Sequence, residues 1–152
     1  MPHIQSTEAA GRALLQRFGD GQPILMLNLL RFRDLADHSA PPDLAPNLAP
    51  DMPITGAEAF DRYTGAILPL LRASGGDIVL QAAANDWFIG PQAEMWHRVL
   101  IVRQASLQAF FAFATDKAAE AVGHHRTAAL ADSRLLPMRS LPGETSHVIT
   151  AS

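Results

Sequence analysis

The chain contains no cysteine, so disulfides, thiolate catalysis and cysteine-based zinc or iron–sulfur sites are excluded. Lysine is almost absent: of 12 basic residues only Lys117 is one. Arginine suits fixed bidentate contacts to carboxylates, although GC-rich codon usage gives the same bias. The basic residues are scattered and the formal charge is -3, which leaves a nucleic-acid backbone or an anionic membrane without an electrostatic footing. No apolar run approaches bilayer length, and "MPHIQSTEAA" lacks a charged segment followed by an apolar one. A membrane partner and a targeting signal are therefore not expected, and the cytoplasm is the default location. Nor is there a G-x-S-x-G, a glycine-rich phosphate loop or an H-E-x-x-H, so hydrolase, nucleotide-binding and zinc-enzyme readings lose their simplest support. No cofactor or metal is expected.

What is present describes one domain over residues 1–152, with 48% apolar and 18% charged residues, enough to bury a core without metal or cross-links. Ser6 or Thr7 caps a short helix with Ala10, Leu14 and Phe18 on one stripe, stopped by Gly19 and Gly21. In "PILMLNLLRF" (23–32), Ile24, Met26, Leu30 and Phe32 share one strand face with Asn28, and Leu25, Leu27 and Leu29 share the other with Arg31. Residues 34–53 hold five prolines and read as a long loop, either a functional arm or disordered. Thr55 and Glu58 form a capping-box pair, and Phe60, Tyr63, Ile67 and Leu71 follow at helical spacing to Ser74-Gly75-Gly76. Pro69 should bend the last turns of that helix.

"DIVLQAAANDWFIG" and "MWHRVLIVR" predict a hairpin turning at Gly90–Glu94. Ser106 caps a helix with Leu107, Phe110, Phe111 and Ala114 on its stripe, where the phenylalanines are packing residues, and Asp116 restarts a helical segment to Gly123. "SRLLPMR" closes the fold as an edge strand that tolerates Pro137; the tail over 140–152 is expected to be flexible. The order strand, helix, strand, strand, helix, strand, after one leading helix, is the split βαβ, ferredoxin-like pattern (βαββαβ) of the α+β class. Helices cover one face of such a sheet, yet at least two strands are apolar on both. The second face is expected to meet the same face of another copy, giving a homodimer with a barrel between the sheets.

"MLNLLRFR", "EAFDRYTGAILPLLRASGG", W-x-x-V-L-I-V-R at 96–103 and "HHRTAALADSRLL" resemble the domain-of-unknown-function 1330 family of the dimeric α+β barrel superfamily, from about Pro23 to about Leu136. The resemblance implies this fold and dimer but no established activity. The family's motif positions match Asn28, Arg31, Tyr63, Trp96, His125 and Arg126, followed by Ser133 and Arg134. Two positions depart: His97 stands where the family has an acidic residue, and Asp116-Lys117-Ala118-Ala119 replaces D-P-x-Y. No role of the missing groups transfers to this chain.

The polar residues offer a small set of candidates. Adjacent histidines on a helix point about 100° apart, so His124 and His125 do not make a metal pair. His125 with Arg126 suits holding a carboxylate or an enolate oxygen, with His125 moving a proton; alternatively these groups cap the segment ending at Gly123. Arg31 on an apolar strand needs a partner, either a ligand or Asp132 or Glu94. Tyr63 is an orienting phenol or a core hydrogen-bonder, Trp96 with Trp87 an aromatic wall or else core or dimer interface, and His97 a general base, an axial haem ligand or an exposed strand-start residue. The resulting expectation is a small protein that binds, and transforms without metal, an apolar or aromatic carboxylate or enol. In it His125, Arg126 and Tyr63 are catalytic, and Asn28, Arg31, Trp96, His97 and Arg134 bind substrate. The alternative is a non-enzymatic dimeric domain that binds a small molecule or a protein, with residues 34–53 as a contact arm.

Overall fold

A computed structural model describes residues 2–39, 50 and 52–142. Most of the 34–53 loop and of the 140–152 tail lies outside the described residues. Helix α1 (Glu8–Phe18) starts where the Thr7 side chain accepts from the Ala10 amide at 3.1 Å. It buries no residue, so its apolar stripe contributes little to the core. Strand β1 (Ile24–Phe32) follows. Helix α2 (Gly56–Ala73) has the full capping box, Thr55 accepting from the Glu58 amide while the Glu58 carboxylate accepts from the Thr55 amide. The helix runs through Pro69, and the chain turns at Gly75 with φ +91°, a conformation that a side chain would strain.

Strands β2 (Asp77–Ala83) and β3 (Arg98–Gln104) then lead to helices α3 (Leu107–Ala114) and α4 (Lys117–Ala129), and strand β4 (Leu130–Met138) completes the sheet. The order is β2-β3-β1-β4 with every pair antiparallel, so β1 is central although its neighbours come last in the chain. This is the ferredoxin-like α+β arrangement, with Pro137 on the edge strand β4 opposite Met26, where its missing N–H costs least. No helix among the described residues is long and apolar enough to cross a membrane.

Three boundaries differ from expectation. The hairpin strands are shorter: residues 84–97 form a loop closed by a bridge between Asp86 and Met95, because the alanine and asparagine-aspartate run after Gln81 has little strand preference. Trp96 and His97 thus precede β3 instead of lying within it. The helix expected to stop at Gly123 continues to Ala129. Ala119, Val122, His125 and Ala129 keep one buried stripe through the glycine, and their packing toward α2 outweighs the roughly 1 kcal/mol that a helical glycine costs. The motif HHR therefore belongs to the body of α4, and the reading of those groups as caps of a segment ending at Gly123 is corrected. Strand β4 also starts at Leu130 and not at Ser133. Of the α3 stripe only Leu107 is fully buried.

The helices cover one sheet face. Ile24, Met26, Asn28 and Leu30 of β1 are buried there, and Leu30 packs with Leu100, Phe60, Ala59, Ala129 and Leu130. Opposite, Leu25, Leu27, Leu29, Val99 and Ile101 stay partly exposed, and Leu80 and Leu136 are 39% and 56% exposed. This second face is apolar and carries no buried cluster among the described residues.

Candidate functional site

Two polar groups emerge, one on each side of the sheet. On the open face, at the far end of β1, Arg31 lies beside Asp132 of β4 and Leu29 beside Arg134. Here a cleft of about 410 Å³ is lined by Arg31, Arg134, Asp132, Glu94, Trp96 and Met95, with Pro2 and two alanines completing it. Arg134 takes both carboxylates that had been considered for Arg31: Asp132 at 2.8 Å and Glu94 at 3.4 Å. Its guanidinium also lies 4.9 Å above the Trp96 ring. The expectation that Arg31 pairs with Asp132 or Glu94 is thus corrected. Arg31 is exposed and has no ion pair among the described residues. Trp96 is 2% exposed, and its indole N–H has no acceptor among those residues.

Asp132 is the hub of this wall. One oxygen accepts from the His3 amide at 2.6 Å, the Ser133 amide at 2.8 Å and Arg134 at 2.8 Å. Burial pushes its carboxyl up, but these bonds and the charge of Arg134 outweigh burial and hold it below the usual carboxylate value. Because the folded value is depressed, its stabilising contribution is complete above the unfolded value, about 3.9, and fades as pH falls through the folded one. Asp132→Asn is expected to lower the melting temperature at pH 7 and to converge on wild type as pH falls through the depressed folded value. Melting curves that stay equally separated down to pH 2 would contradict this account.

The second group lies between α2, α4 and the segment after β1. Tyr63 and Arg126 are coupled electrostatically: burial raises the Tyr63 phenol while Arg126 opposes it, and burial lowers Arg126 while Tyr63 opposes that. Arg126 also donates to the Ile4 carbonyl at 3.3 Å, and the Ser133 hydroxyl donates to the His3 carbonyl, so residues 3 and 4 are stitched along β4 and α4. His125 is fully buried, with Nδ1 3.0 Å from Nε2 of His38 and the rings edge to face. Burial lowers His38, Arg62 adds to the lowering, and Asp37 opposes it.

Arg31, Trp96 and Arg134 therefore share a cleft, while Tyr63, His125 and Arg126 do not line it. Asn28 joins neither group: its amide donates to the Met26 and Leu100 carbonyls at 3.1 and 3.4 Å on the helix side. Nor does His97, which was expected to share a face with Val99 and Ile101. Its exposed ring stacks on Phe32 and its Nδ1 accepts from the Phe32 amide at 2.9 Å, which leaves the proton on Nε2. Sequence reasoning missed His38, which stood inside the proline-rich stretch. Glu94 and Asp132 entered it only as partners for Arg31. Among the described residues, no three His, Asp or Glu side chains are grouped to hold a metal ion.

No protein-family model matches this chain, and no curated protein matches it. Among solved structures, the RPA0582 protein of unknown function from Rhodopseudomonas palustris is 33% identical with a TM-score of 0.77, covering 94% of this chain and 100% of that one. The methylated form of the same protein gives 34% identity and a TM-score of 0.77, over 94% and 98% of the two chains. A dimeric protein of unknown function with a ferredoxin-like fold from Bacteroides fragilis is 14% identical, with a TM-score of 0.43 over 78% of this chain and 96% of its own. At a third of residues identical over the full length of the Rhodopseudomonas protein, this chain belongs to the same family as RPA0582.

Proposed function

We propose that this protein is a binding module for a small carboxylate, held in the cleft at the end of β1, and that it works as a pair of copies joined through their open sheet faces. The observation that carries the first half is Arg31. Arg31 lines the cleft while both neighbouring carboxylates are engaged by Arg134, so one cationic fork remains for an anion, and guanidinium geometry matches a carboxylate. Trp96, Met95 and Pro2 supply apolar wall on the same cleft, which suits a ligand with a hydrophobic body.

Binding fits this geometry better than catalysis. His125 and Tyr63, the proton-moving groups expected from the sequence, do not border the cleft, and a general base has to come within hydrogen-bond reach of its proton. The apolar open face favours the second half of the proposal, since a patch of Leu25, Leu27, Leu29, Val99, Ile101 and Leu136 is costly to leave in water. Kinship with the domain-of-unknown-function 1330 family is part of the same proposal, as is a cytoplasmic location.

Thermal-shift titration with butanoate and benzoate tests the carboxylate site. Wild type is expected to show a saturable rise, about 2.7 kcal/mol at a hundred times the dissociation constant. Arg31→Gln should weaken it tenfold or more, whereas Arg126→Gln should leave the affinity intact even if it lowers the baseline melting temperature. An equal loss in both variants, or no shift in wild type, would sink the proposal.

A further inference from the structure

We infer that the ligand of this cleft is amphiphilic, its apolar chain leaving the cleft over Phe88 and Ile89 at the tip of the β2–β3 loop. The inference rests on the proposal that Arg31 takes a carboxylate. Trp87, Phe88 and Ile89 are consecutive and 41%, 99% and 85% exposed. Exposure of one large apolar residue is ordinary, but three in a row mark a contact surface.

The tip is also firmly built. At its base the Ala84 amide donates to the His97 carbonyl at 3.0 Å and the Trp96 amide to the Asn85 carbonyl at 3.2 Å, with the Asp86–Met95 bridge above them. A turn is closed by the Glu94 amide on the Pro91 carbonyl at 3.2 Å. Gly90 lies so close beneath Trp87 that a Cβ there would be 2.5 Å from the indole. A loop held this way cannot fold its apolar side chains back onto the protein, so they stay presented.

Glu94 joins tip and cleft. One carboxylate oxygen accepts from the Trp87 indole N–H at 3.0 Å, and the other meets Arg134 at 3.4 Å. Glu94 and its neighbours Ala93 and Met95 line the cleft. The same few residues therefore form the wall beside the cation and the footing of the apolar tip. A ligand anchored on Arg31 and running along Met95 and Trp96 reaches Trp87 next, with Phe88 and Ile89 beyond. Both acids that line the cleft are already bonded, so an alkyl or aryl chain meets no unengaged carboxylate within it. The chemical class is a carboxylate with an extended apolar tail, as in a medium-chain fatty acid.

Calorimetric titration of the full chain with straight-chain carboxylates from acetate to decanoate, each below its micellar concentration, tests this. Beyond butanoate each added CH2 should tighten binding roughly twofold to fourfold, the upper figure being full burial. In Phe88→Ser/Ile89→Ser, whose substitutions are on the surface, acetate and butanoate should bind as in wild type and the chain-length gradient should flatten. A flat series in wild type, or an undiminished gradient in the double variant, overturns the inference while short-chain binding through Arg31 still stands. No binding of any carboxylate removes the Arg31 proposal and this inference with it. Sedimentation on the same samples supplies the remaining outcome: a double variant that changes from paired to single copies assigns the tip to an interface between copies and also overturns the inference.

Discussion

Gly56→Ala should cost this protein about 3 kcal/mol or more, a fall in melting temperature of roughly 6–12 °C for a domain of this size. Gly56 is buried at the start of α2. A methyl group there would lie 2.2 Å from the Arg33 carbonyl oxygen, 2.7 Å from the Ala129 carbonyl oxygen and 2.8 Å from the Arg33 amide nitrogen. All three are backbone atoms, so no side-chain rotation relieves the clash. They are also bonded to one another: the Gly56 amide donates to the Arg33 carbonyl at 3.0 Å, and the Arg33 amide to the Ala129 carbonyl at 2.8 Å. The exit of β1, the start of α2 and the end of α4 meet at this point, and two otherwise orphaned helix-end groups are satisfied there. Gly65 supplies the contrast within the same helix. A Cβ on it meets nothing within 4 Å, so Gly65→Ala should stabilise by about 0.5–1 kcal/mol. Thermal denaturation of the two variants should therefore move in opposite directions. A loss under about 2 °C in Gly56→Ala would show that the junction yields.

On the proposal that the open faces pair, Leu27→Asp should convert pairs of copies into single, folded chains, weakening association by a hundredfold or more. Leu27 sits in the middle of the open face, between Ile101 on β3 and Leu136 on β4. In a two-fold interface the substitution is present on both copies, and on each it costs the lost burial of a leucine, about 1.5–3 kcal/mol, and leaves a carboxylate without a partner. The variant should keep its fold, because the core around Leu30, Phe60 and Leu100 lies on the opposite face. Sedimentation velocity against concentration decides it. A wild type that runs as a single chain, or a Leu27→Asp that stays paired, removes the sheet face as the interface.

The parts of this architecture that were legible in the sequence share one physical property: the information is local. Thr55 and Glu58 mark their helix start within four residues, Ser74-Gly75-Gly76 mark its end, and the alternation in β1 announces a strand apolar on both sides. What was not legible depends on which strand lies beside which. Arg31 looked in need of Asp132, and the register does put them side by side, but Arg134 reaches Asp132 from the same strand and Glu94 from a loop. The short link to Asp132, two residues away on the same strand face, was local; the reach to Glu94, 40 residues away, was not. Trp96 and His97 read as strand because their neighbours do, yet the His97 amide bonds to the Leu30 carbonyl at 2.8 Å, outside the β3 ladder. At Gly123 a local stop signal lost to a long-range stripe against α2. The expected trio of Tyr63, His125 and Arg126 was separated from Arg31 for the same kind of reason, since the motif places them on α2 and α4, whereas Arg31 points to the other side of the sheet.

The central place of β1 has a consequence for how the chain is made. Its 9 residues are synthesised before either of its partner strands, and they are apolar on both faces. Neither ladder can close at once: Leu30 must wait for Arg98 on one side and for Ser133 on the other. Pairing across such sequence distances is slow, because the chain entropy of the intervening loop is spent before any contact forms. Until β3 is translated, β1 is an unpaired, strand-prone segment with no internal charge before Arg31, and one of its edges stays open until β4 follows; this is the kind of segment that pairs with another nascent copy. The most buried strand of the finished protein is thus its most exposed liability during synthesis.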